Sequence, residues 1–72
     1  MTFASKVEYL RKKKGLTQDE LAKLTNVSQV AIHAYEKGKA VPFKNTQIQL
    51  AKVLGVKVSD LMNDERTVLY DE

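Results

Sequence analysis

Two helix starts only eleven residues apart constrain this chain more than any other feature of it. Thr17-Gln18-Asp19-Glu20 has the form of a capping box, in which the threonine hydroxyl accepts the Glu20 amide and the Glu20 carboxylate accepts the Thr17 amide. Ser28 has the chemistry of a second N-cap. The helix between them, from Gln18 to about Leu24, has to stop within about two turns, and Thr25 and Asn26 are weak helix formers placed to stop it. Asparagine tolerates the left-handed region, so Asn26 can turn the chain where a glycine would otherwise be expected. Two helices joined through Thr25-Asn26-Val27-Ser28 must cross at a large angle, with Val27 tucked between them.

The remaining elements follow from periodicity and stop signals. Phe3, Val7 and Leu10 recur on one face of a first helix over about residues 3 to 14, closed by Gly15. Leu21, Ala22 and Leu24 are expected inward on the second helix, with Leu16 stapling its start against Leu24 or a neighbouring helix. The third runs from Gln29 to about Lys37, stopped by Gly38 and kept from continuing by Pro42. A fourth, about Asn45 to Leu54, carries Ile48, Leu50, Ala51 and Leu54 and ends at Gly55. Val58 to Met62 adds a short fifth, with Val56, Val58 and Leu61 available to close the core. The fold class is therefore all-α, a compact bundle of five short helices over residues 3–62.

Residues 63–72 form an acidic C-terminal tail containing Thr67-Val68-Leu69-Tyr70, which favours a strand and has no sequence-local partner. It is expected to be either a frayed tail or an edge offered to another subunit in a dimer contact.

Seventy-two residues leave room for one small domain, and with no cysteine its core must be held by packing alone. No run of about 18 apolar residues exists and the first fourteen residues lack the pattern of a secretory signal, so a cytoplasmic location off the membrane is expected. Enzyme chemistry is not expected, because there is no Ser/His/acid set, no glycine loop to cradle a phosphate and no metal cluster. Neither a cofactor nor a metal is expected, His33 being the only histidine.

Charge points to a partner. Residues 1–57 carry 11 Lys/Arg against 4 Asp/Glu, whereas residues 58–72 carry one arginine against five carboxylates. A basic body with an acidic tail fits a surface that attracts a polyanion, although Arg11-Lys12-Lys13-Lys14 by itself also suits a solvated helix end. Projected at about 100° per residue from Gln29, Ile32 and Tyr35 fall near 300° and 240°, while Val30, His33, Ala34 and Lys37 fall between about 40° and 140°. The outer face of the third helix is thus a convex ridge of a size that enters a DNA major groove. On it, the Gln29 carboxamide offers the donor and acceptor pair that adenine presents, and Val30 and Ala34 suit thymine methyls. His33 suits a phosphate or a base edge. Gln18, at the positive end of the second helix, and Ser28, Lys37, Lys39 and Lys44 around the ridge are the expected phosphate contacts.

These residues resemble the helix-turn-helix domains of the phage Cro and C1 repressor type, also called XRE-like or lambda repressor-like. The matching text is Leu10-Arg11, Gly15-Leu16-Thr17-Gln18-Asp19-Glu20-Leu21-Ala22, Val27-Ser28, Ile32, Glu36-Lys37-Gly38-Lys39, Pro42, Leu50 to Val56 and Asp60-Leu61. The resemblance implies that Gln18 holds a phosphate, that Gln29 reads bases, and that Arg11 and Glu36 form an ion pair tying the first helix to the third. Asn26 departs from the family in replacing the usual turn glycine, and Lys57 in standing where a serine commonly caps the last helix.

The function so implied is a sequence-specific regulator of transcription that binds double-stranded DNA, a repressor acting as a homodimer on an inverted repeat. The competing reading is a protein-interaction module, an antitoxin-like partner of a heterologous protein that also binds its own promoter.

Overall fold

The computed structural model describes residues 1–63, and all five expected helices are present: α1 (Phe3–Lys13), α2 (Gln18–Thr25), α3 (Gln29–Glu36), α4 (Lys44–Leu54) and α5 (Val58–Met62). The expected strand of Thr67 to Tyr70 lies outside the described residues.

Each helix contributes one fully buried aliphatic side chain to a common centre: Val7, Leu21, Ile32, Leu50 and Leu61. The core is therefore a meeting point of five elements rather than an interface between two. Tyr35 joins it from α3 and meets Phe3 of α1 edge to face, with ring centroids 6.1 Å apart. Helix α3 packs against α1 and α2, α4 packs against α2 and α5, and both α4 and α5 also touch α1.

The helix ends show how local chemistry sets the path. The capping box expected at Thr17 is formed, the Glu20 amide donating to Thr17 Oγ1 at 3.0 Å and the Thr17 amide to Glu20 Oε1 at 2.8 Å. A second box, unforeseen, starts α1, where Thr2 and Ser5 exchange the same bonds. Asn26 ends α2 in the left-handed region at φ 59° and ψ 40°, in the role inferred for it. Lys57 and Phe43, at the starts of α5 and α4, supply no side-chain cap. At the other end of α5, the Lys6 ammonium donates to the Asp60 carbonyl at 2.6 Å and to the Asn63 carbonyl, tying the last turn to α1.

Two inward assignments are corrected. Leu24 is 56% exposed and Ile48 43% exposed. Measured from Leu21, the buried side of α2 is set by Leu21, Thr25 and Ala22 at about 0°, 40° and 100°, which leaves Leu24 at about 300°, off that arc. Thr25 takes the inward position because its hydroxyl donates to the Leu21 carbonyl at 2.7 Å, so it enters the core with its polar group satisfied. The same geometry on α4 buries Leu50, Ala51 and Leu54 and turns Ile48 away. Leu16 is half-buried and packs against the core, as the second of its two expected placements has it.

Candidate nucleic-acid interface

Helix α3 begins at Ser28, whose Oγ accepts the Ala31 amide at 3.0 Å, and is held down by Ile32 and Tyr35. On the opposite side Gln29, Val30 and His33 are exposed, Val30 to 79% although it is a large aliphatic residue. Ala34, projected outward, is half-buried. Gln29, Val30 and His33 share a shallow surface depression of about 230 Å³ with Gln18 from the start of α2. Three of the four residues expected to read bases and one expected to hold phosphate are therefore side by side.

Glu36, at the end of α3, organises this edge. Its carboxylate accepts Arg11 Nε at 2.6 Å and Arg11 Nη2 at 3.1 Å, so the ion pair implied by the resemblance is present and bidentate. Arg11 Nη1 donates in addition to the Leu16 carbonyl at 2.9 Å, fixing the loop between α1 and α2. The carboxylate raises the Arg11 pKa further above its already high ordinary value, chiefly by hydrogen bonding. A third donor was missed from the sequence: Gln18 Nε2 reaches Glu36 Oε1 at 3.0 Å. The projection carried a signal for it, because Glu36 falls at about 340° on α3, close to buried Ile32, where a carboxylate requires donors. Gln18 is thus held in place, with its remaining N–H and its carbonyl oxygen unengaged among the described residues.

The start of α2 differs electrostatically from that of α3. Asp19 and Glu20 lie in the first turn of α2, whereas α3 has no acid in its first turn, so its positive end faces solvent uncompensated. Lys37, Lys39 and Lys44 are exposed, the first capping α3, the second in the following loop and the third opening α4. None of the three is in an ion pair among the described residues. They are spread over the far end of α3 and do not share the depression beside Gln29. Val41 and Phe43 are exposed in the same connection, Phe43 to 90%. Among the described residues, no group of three or more His, Cys, Asp or Glu could hold a metal ion.

A short α2, a tight left-handed turn and an α3 with one anchored and one bare face make up a helix-turn-helix, and the family model of that name matches residues 7–61. The chain belongs to the helix-turn-helix family. It is of the Cro/C1 type anticipated from its motifs. This helix-turn-helix domain is 42% identical over 57 residues to an uncharacterized HTH-type transcriptional regulator of Methanocaldococcus jannaschii, covering 79% of this chain and 86% of that protein. It is 38% identical over 65 residues to the cryptic phage CTXphi transcriptional repressor RstR of Vibrio cholerae, covering 90% of this chain but 59% of the repressor. In structure it is similar to the P22 c2 repressor solved in complex with a synthetic operator, with a TM-score of 0.85 at 27% identity over 88% of this chain and 96% of that one. No described helix is long and apolar enough to cross a membrane.

Proposed function

We propose that this domain is a sequence-specific regulator of transcription that binds double-stranded DNA through α3. The observation that carries the reading is the exposed face of α3, where Gln29, Val30 and His33 stand clear of the core beside an oriented Gln18. Inserted in a major groove, Gln29 pairs with an adenine edge, Val30 and Ala34 meet thymine methyls, and His33 reaches a base edge or phosphate. Gln18, Ser28, Lys37, Lys39 and Lys44 flank the groove and hold the backbone, which sets register and affinity without reading sequence.

One eight-residue α3 presents few base-reading groups, so the domain acts as a homodimer on an inverted repeat with half-sites about 34 Å apart. The chemistry needed is occupancy alone: a repressor bound over a promoter excludes polymerase. Its place of action is the cytoplasm. The similarity to phage repressors supports repression as the outcome.

The test is selection of duplexes from a random pool, followed by measurement of the mass of the complex formed with the winner. An inverted repeat bound by two protomers supports the reading. Binding that does not distinguish the winner from random duplex at any salt concentration contradicts it, and co-purification of a stoichiometric foreign protein would favour the protein-interaction alternative.

A further inference from the structure

A second surface feature shares no lining residue with the depression on α3. Leu10, Leu54 and Val56, with Lys13 and Lys14, line an open groove of about 490 Å³ between the end of α1 and the α4–α5 connection. A neighbouring groove of about 380 Å³ shares Leu10 and Val56 and continues past Leu61 and Tyr9 toward Met1. The two form one trough with an aliphatic floor, running beside α1 from Lys6 to Lys14.

Its rim is basic. Lys14 lies across Gly55, its Nζ 3.4 Å from where a Cβ on that glycine would sit, and Lys13 lies over the Tyr9 ring at 5.9 Å from the centroid. Neither lysine is in an ion pair among the described residues, whereas Lys12 beside them is paired with Glu8 at 3.1 Å. Lys6 stands at the opposite end, and Asp60 is the one carboxylate among the lining residues. The trough fits an apolar segment flanked by acids.

The chain supplies such a segment where it leaves α5. Asn63 is fastened at the Lys6 end of the trough by its carbonyl, and residues 64–72 follow as Asp-Glu-Arg-Thr-Val-Leu-Tyr-Asp-Glu. We propose that residues 64–72 dock along this trough of their own protomer, Val68 and Leu69 on Leu10 and Val56, with Asp71 and Glu72 at Lys13 and Lys14. Reach is ample: Lys6 and Lys13 are about 11 Å apart along α1, and nine residues can span about 30 Å. Apolar contact with the floor supplies the attraction, and the acidic flanks choose the direction, more weakly as salt rises. Docked there, Asp71 and Glu72 are engaged with Lys13 and Lys14 and do not compete with phosphates for Lys37, Lys39 and Lys44.

The chain of residues 1–72 in solution tests this. Nuclear Overhauser contacts are expected from the Leu69 methyls to those of Leu10 and Val56, unchanged on tenfold dilution. Leu69→Ser with Tyr70→Ser should abolish them and shift the amides of Leu10, Gly55 and Val56, and Lys13→Glu with Lys14→Glu should weaken them several-fold. Shifts confined to residues 64–72, shifts on α3, or contacts that vanish on dilution would each overturn the proposal, the last by assigning the trough to a second copy.

Discussion

Asn26 is the residue on which the angle between α2 and α3 turns. It holds φ 59°, a region in which a side chain without local hydrogen bonding costs about 1–2 kcal/mol. Asn26→Ala should therefore destabilise the domain by about 1 kcal/mol, and Asn26→Gly should leave it within a few tenths, in urea unfolding monitored by circular dichroism. Glu36 carries a different kind of load. Its side chain is 3% exposed and receives Arg11 and Gln18 together, so Glu36→Ala strands a buried guanidinium and is expected to cost about 3–5 kcal/mol. Replacing Arg11 and Glu36 together by methionine and leucine should cost much less in the same measurement, because no unpaired charge remains.

At the scale of the elements, legibility in the sequence followed the capping chemistry. Thr17 and Ser28 announce α2 and α3 to within a residue because their side chains accept backbone amides three residues on, and Asn26 ends α2 through its own left-handed backbone. Leu24 and Ile48 are apolar but out of phase with the narrow inward arcs of α2 and α4, so their apolarity alone points the wrong way. The donation from Gln18 to Glu36 lies across eighteen residues, and only the packing of α2 on α3 brings it together. The weak cap at Lys57 was legible and is confirmed by the missing side-chain bond at the start of α5, so Lys57→Ser should raise stability by about 1 kcal/mol in thermal unfolding. Helix α3 makes a functional prediction. Gln29→Ala should lose about 1–3 kcal/mol of discrimination at one base pair, whereas Lys39→Ala should weaken binding about equally on all duplexes and lower the salt slope by about one, both measured by fluorescence anisotropy.

For the molecule as a whole, the division of labour follows from a five-way core that leaves two separate surfaces bare. One is the outer face of α3, framed by lysines that are in no ion pair among the described residues, and the other is the trough along α1. The charge split between residues 1–57 and the acidic end was visible in the sequence, and so was the ridge on α3. The trough was not, because Leu10 and Val56 meet only after α1 and α5 have packed together. The central claim is that the outer face of α3 reads DNA, and backbone and side-chain resonances followed while a selected duplex is added address it directly. Gln29, Val30, His33, Ala34 and the Gln18 side-chain amide are expected to move first and furthest, with Leu10, Gly55 and Val56 unmoved. Large shifts elsewhere, with these α3 signals unchanged at saturation, would contradict it.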